Sequence, residues 1–345
     1  MKKNNIDEEI SQRISIVRYL MIVGVVFLHV PPYVPLSEMS SDFFSFVKAL
    51  FSNAIFRSTT PVLTCISGYI LYSVSLDRKY RSLVVNKTRS LLVPLILWNV
   101  PLVFVLYFVQ KYRLLDQSFS TKIYPIAIFS SVNAIVGFNG SPLNYPLNFI
   151  RDLYVITLLA PIFGYLLRRI PFIGLVFISL FFLGDLDGDL VLRNSMPVNF
   201  YIGGMAALAH WDLRFFDRYA LPLIICFLAL SIAIVVFRIP YIYFFSIISP
   251  FLIWPIFSKI PYTLIGEKII GLSKVSFFVF LSHGPILFAI SVLFSKFVGN
   301  LSTFTFWLMA PILTILIAHI SYFIFSKIAP AALGLLIGGR HANRE

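Results

Sequence analysis

The sequence is short of charge, and of negative charge most of all. Of 345 residues 15 are acidic, and charged residues of both signs make up 12%, about half the share of an ordinary soluble chain. A chain so thinly charged cannot clothe itself in a soluble surface. Cysteine is nearly missing: Cys65 and Cys226 are the only two, and both fall inside apolar runs, which argues against a disulfide framework and a thiolate metal cage. No metal is expected. Internal repeats, low-complexity tracts and a second domain are also missing, so neither a solenoid nor a modular protein is indicated.

What the chain has in abundance is apolar length. Hydrophobic residues make up 59% and the mean hydropathy is +0.88, in continuous runs rather than the alternating segments of a β-barrel. The expected fold is all-α, a polytopic transmembrane bundle of about ten helices forming one domain over residues 1–345. Residues 1–13 form a tail, 14–326 the bundle and 327–345 a second tail. After a first span ending near His29, the apolar segments fall at about Phe56–Val74, Leu91–Val109, Phe149–Leu167, Phe172–Gly184, Pro197–His210, Leu221–Phe237, Tyr241–Phe257, Val275–Phe297 and Thr303–Ser326. An amphipathic stretch is expected near Ser41–Ala54 and an interfacial or re-entrant one near Tyr124–Phe138.

The net charge of +13 does not indicate nucleic acid, because the basic residues sit in short loops between apolar runs. With both termini cytoplasmic, eighteen of the 28 basic residues face inward, as the positive-inside rule requires. Pro31-Pro32 follows the first run in place of a small-residue cleavage site, so that run reads as an uncleaved helix.

Within that first helix, Arg18 and His29 are the ionisable groups of an otherwise lipid-soluble stretch, a placement that usually serves function. Eleven residues turn through about three full turns, so both lie on one face, roughly 16 Å apart along the axis. Read without further context, His29 could be a helix-end histidine bonded to a backbone carbonyl, and Arg18 an anchor that snorkels to headgroups.

The spacing of Arg18 and His29, Ser67-Gly68-Tyr69, Lys87-Thr88-Arg89 before Pro94, Asn148-Phe149-Ile150-Arg151-Asp152-Leu153 and Ser276-Phe277-Phe278-Val279-Phe280-Leu281-Ser282-His283 together resemble the acyltransferase-3 family of integral-membrane acyltransferases. The resemblance runs along almost the whole chain. It implies a bacterial inner-membrane enzyme that O-acylates, commonly O-acetylates, envelope polysaccharides or lipid-linked glycans with acetyl-CoA from the cytoplasm. Where members often carry His and Trp before the middle motif, this chain has Pro146 and Asn148.

On that resemblance His29 is the general base or acyl carrier, either of which needs an unprotonated nitrogen. Arg18 holds the donor or the developing oxyanion, and His283 lines the same cavity. Lys87 and Arg89 hold the donor's phosphates, Lys as a point charge and Arg by its fork. Arg57, near the outer entrance of the second span, is placed on the acceptor side, and Arg151 or Asp152 binds the acceptor sugar or orients His29, unless both are interfacial charges. As adjacent residues, Arg151 and Asp152 point to different helix sectors and need not pair with each other. His210 and His319 read as structural. Two other classes share the buried charges: a glycan polymerase or ligase, which needs no phosphate grip at Lys87 and Arg89, and a transporter, which more often shows repeats.

Overall fold

The computed structural model describes residues 7–114, 121–240 and 242–339, and every regular element among them is helical. The first half runs through α1 (Glu8–Leu28), α2 (Phe43–Ala49), α3 (Thr59–Ser73) and α4 (Tyr80–Lys87), which passes by a wide π-type turn at Thr88–Leu92 into α5 (Val93–Tyr112). It continues with α6 (Ile128–Val136), α7 (Asn148–Leu158) and α8 (Ala160–Arg169). The second half holds α9 (Pro171–Leu183), α10 (Ser195–Leu208), α11 (Ala220–Val236) and α12 (Tyr243–Ile253). It closes with α13 (Leu264–Ser273), α14 (Ser276–Phe297), α15 (Phe304–Ile328) and α16 (Pro330–Leu336).

Among the described residues six stretches are long and apolar enough to cross a bilayer: α1, Tyr80–Tyr112, Asp217–Val236, Tyr243–Tyr262, α14 and α15. The pair α7 and α8, bent by 57°, makes a seventh if taken as one broken span. The chain is a multi-pass helical membrane protein. Each of the ten apolar segments read from the sequence contains a helix, but α3, α9 and α10 have only 15, 13 and 14 residues, about 20–23 Å against a hydrocarbon core of roughly 30 Å.

Two of these short helices are the most closely packed pair in the molecule. A Cβ on Gly68 of α3 would overlap the carbonyl oxygen of Phe200, and one on Gly203 of α10 would overlap that of Cys65. The glycines let two backbones touch, the small-residue packing that replaces hydrophobic drive inside a bilayer. Every residue of α10 from Met196 to Ala207 is buried, so this helix is lined by protein rather than lipid.

The tail boundaries differ from the sequence reading. Asp7 caps α1, its carboxylate accepting from Glu9 N at 3.0 Å. Arg13 is fully buried rather than part of a polar tail. It forks onto Asp217 at 2.7 and 3.1 Å, donates to Trp254 O, and lies 4.2 Å from the centre of the Trp254 ring. The cause is the loop before α11, which folds beneath the start of α1 and brings a carboxylate that the local sequence does not contain. At the other end residues 330–336 form α16, which packs back against α5. Lys2, Lys3, Arg340, Arg344 and Tyr241 lie outside the described residues. The stretch near Ser41 holds the Asp42-capped α2, and that near Tyr124 holds α6, packed on α5.

Candidate active site

His29 ends α1, where Pro31 and Pro32 prevent the helix from continuing. Its Nδ1 lies 2.8 Å from Val25 O. The short α13 and the long α14 both pack on α1, and His283 in the third turn of α14 lies against His29. The two rings are 5.3 Å apart at 50°. His283 is wholly buried, and its Nδ1 lies 2.6 Å from Phe280 O. A carbonyl can only accept, so each Nδ1 carries the proton and each Nε2 keeps its lone pair. The Nε2 of His283 is buried and has no hydrogen-bond partner among the described residues.

Pro285 shapes the next contact. Lacking an N–H, it leaves the Leu281 carbonyl without its helical donor, and Asn144 Nδ2 donates there instead at 3.2 Å. Asn144 is fixed from behind by Asn99, whose Oδ1 accepts from Asn144 N at 2.7 Å. The segment 144–147 thus dips between α5 and α14 and sets Tyr145 edge-on to His29, 6.0 Å between ring centres. Among the described residues Asn144 Oδ1 has no donor, and neither has Asn148 Oδ1, although both are buried. Buried acceptors without donors are costly unless a ligand or water supplies hydrogen bonds.

Arg151 and Asp152 do pair, at 2.8 Å, because the long guanidinium folds back onto its neighbour's carboxylate. Arg151 also donates to Gly137 O at 3.0 Å and Leu190 O at 2.6 Å. Asp152 accepts from Leu192 N at 3.2 Å and Arg193 N at 3.1 Å. Both side chains therefore tie loops together, and the residue they deliver is Arg193. Its guanidinium donates to Thr60 Oγ1 at 3.3 Å and lies beside Tyr145. Burial pulls Arg193 below the usual guanidinium range, yet no base in the site could discharge it. Arg57 lies over the Tyr33 ring at 5.4 Å.

Arg18 is half-buried in α1 and makes no hydrogen bond or ion pair with the described residues. Lys87 and Arg89 lie on the wide turn that joins α4 to α5. Arg89 is exposed, and its guanidinium lies against Gly339. At Gly338, where φ is +68°, a Cβ would press on the backbone of Arg89 and Ser90. The glycine is needed both for its left-handed backbone and for this close approach. Among the described residues no group of His, Cys, Asp and Glu could hold a metal ion.

Comparison with known proteins shows the family of the chain. A family profile described as an acyltransferase domain, of the acyltransferase-3 type, matches residues 11–325. The chain belongs to the acyltransferase-3 family. This acyltransferase is also 28% identical, over 357 aligned positions, to the succinoglycan biosynthesis protein ExoH of Rhizobium meliloti (strain 1021), covering 97% of this chain and 94% of that one. No solved structure matches it.

Of the residues singled out in the sequence, the acyltransferase brings His29 and His283 into contact, while Arg57 lies over Tyr33. Arg151 and Asp152 stand one layer behind them. Arg18 lies lower on α1, and Lys87 and Arg89 lie apart on the α4–α5 turn. Sequence reasoning did not single out Arg193, and it pointed to the loop 139–146 as a whole, on the acceptor side, rather than to Asn144 and Tyr145 within it. Pro285, two residues after His283, was the available signal, since a proline within a helix frees a carbonyl for some other donor.

Proposed function

We propose that this acyltransferase moves an acetyl group from cytoplasmic acetyl-CoA to a hydroxyl of an exported or carrier-linked polysaccharide on the far side of a bacterial inner membrane. In this reading ten helices cross or enter the membrane, and both termini face the cytoplasm. The observation that carries it is the His29–His283 pair, two imidazoles in contact whose Nε2 atoms are left to accept protons. The unpaired Asn144 and Asn148 oxygens support an acceptor rich in hydroxyl groups, and the relative named for succinoglycan biosynthesis supports a polysaccharide.

The chemistry follows from that geometry. The acceptor O–H gives its proton to His29 Nε2 as its oxygen attacks the thioester carbonyl. The new C–O bond forms, the C–S bond breaks, and the thiolate of coenzyme A leaves and takes up the proton from the imidazolium. Backbone carbonyls hold each Nδ1–H, fixing the tautomer that the base requires. Arg18, without a partner among the described residues and on the same helix as His29, steadies the donor or the negative charge on its carbonyl oxygen. Lys87 and Arg89 hold the donor's phosphates at the cytoplasmic surface.

The test is acyl content of surface polysaccharide from cells lacking the gene, complemented with wild type or with His29→Ala. Loss of O-acetyl ester on deletion, rescue by wild type and failure of a normally expressed His29→Ala support the reading. Ester content that is unchanged by deletion overturns it.

A further inference from the structure

The surroundings of His29 hold more positive charge than they neutralise. Arg57 lies three residues before Thr60, a spacing that puts two side chains on one face of a helix, and Thr60 Oγ1 accepts from Arg193 at 3.3 Å, so both arginines stand at the start of α3. Both are half-buried. Among the described residues neither has a carboxylate within ion-pair distance. Asp152, the acid that holds Arg193's backbone, is already committed to Arg151 and two backbone N–H groups. Arg57 instead faces the ring of Tyr33.

Elsewhere in the protein the fully buried Arg13 and the partly exposed Arg168 are given acids, whereas the half-buried Arg18 is not. Arg13 has Asp217, and Arg168 has Asp77 at 2.7 Å. Two like charges gathered away from bulk water repel each other and lose hydration, and an anion placed between them relieves both penalties. Guanidinium forks match the two oxygens of a carboxylate.

We propose that Arg57 and Arg193 form a carboxylate-binding subsite beside the transfer point, so that one of the two reacting molecules carries a carboxylate close to the bond that is made. The carboxylate has two sources: the far end of a dicarboxylic acyl group, or an acidic sugar of the acceptor. The inference rests on the acyl-transfer reading and names the substrate class for it.

The experiment uses the full-length protein in proteoliposomes, with radiolabelled acetyl-CoA or succinyl-CoA as donor. The acceptor is native polysaccharide or the same polysaccharide after chemical reduction of its carboxylates. Wild type is expected to prefer the carboxylate-bearing member of one pair. Arg193→Gln and Arg57→Gln should each reduce that preference at least tenfold, with Arg193→Lys restoring part of it. A preference between donors places the carboxylate on the acyl group, and a preference between acceptors places it on the sugar. Transfer indifferent to both pairs, or a preference unaltered in the variants, overturns the subsite and leaves the acyl-transfer reading intact. A wild type that transfers from neither donor overturns the two together.

Discussion

His29 and His283, 254 positions apart in the chain, meet with ring centres 5.3 Å apart, each with Nδ1 turned to a backbone carbonyl of its own helix. Because both tautomers are set in this way, neither ring can donate to the other, and a hydroxyl is the natural third member of the group. The two rings are expected to work as a unit. His29→Ala and His283→Ala should each lower the transfer rate by at least ~100-fold, the scale of a lost proton-transfer group, and the double variant should be little worse than His29→Ala alone. Single-turnover rates on detergent-purified protein of normal folded yield check this. Independent, multiplying losses would show that the rings do not share one step.

The donor grip makes a separate prediction, because phosphates can be removed from the donor as well as charge from the protein. Lys87→Glu and Arg89→Glu are expected to raise KM for acetyl-CoA by at least about tenfold, the loss of one charge-assisted contact. With acetyl-pantetheine, which has no phosphate at the nucleotide end, the same variants should differ much less from wild type. If KM for the two donors rises equally, the turn between α4 and α5 has a structural role only.

Asp152 is buried with Arg151 on one side and the backbone of residues 192 and 193 on the other. Asp152→Asn leaves the Arg151 charge uncompensated in a buried place, a change that costs about 3–5 kcal/mol when one member of such a pair is removed. Thermal unfolding in detergent should show the loss. In an Arg151→Met background the same substitution should cost markedly less, because no orphan charge remains. Equal costs in both backgrounds would mean that Asp152 works through the Leu192 and Arg193 amides alone.

These residues show where reading the sequence reaches its limit. Arg18 and His29 were visible because their spacing on one helix is local, and His283 because it interrupts a run of Phe, Val and Leu. The packed α3–α10 pair was only half visible. Gly68 and Gly203 are plain in the sequence, but nothing local says that each faces the other's helix. Arg193 was invisible for a similar reason. It follows an acidic loop and reads as a solvated charge, and its position is set by Asp152, 41 residues earlier. Arg13 misled in the opposite direction, since a basic residue at the edge of a first span ordinarily reports orientation, whereas its carboxylate partner comes from a loop some 200 residues away.

That same end of α1 allows a comparison between a buried and an exposed arginine. Arg13 is fully buried against Asp217 and Trp254, while Arg214 reaches Asp7 at 2.7 Å and Glu9 at 2.9 Å from a side chain 42% exposed. Arg13→Ala strands a half-buried carboxylate and a carbonyl, and is expected to cost about 3 kcal/mol. Arg214→Ala removes surface pairs that solvent already screens, and should cost less than about 1 kcal/mol. The acid dependence should separate them too. The Arg214 guanidinium holds the Asp7 carboxyl below its ordinary value of 3.8, so in the folded protein Asp7 keeps its charge to lower pH than in the unfolded chain. Its contribution is present in full above the unfolded value and is lost as pH falls through the lowered one. Unfolding followed between pH 6 and pH 3 should therefore show a small loss in wild type that is reduced in Arg214→Ala. An Arg214→Ala protein as weakened as Arg13→Ala would show that the exposed cluster, rather than the buried fork, holds the start of α1.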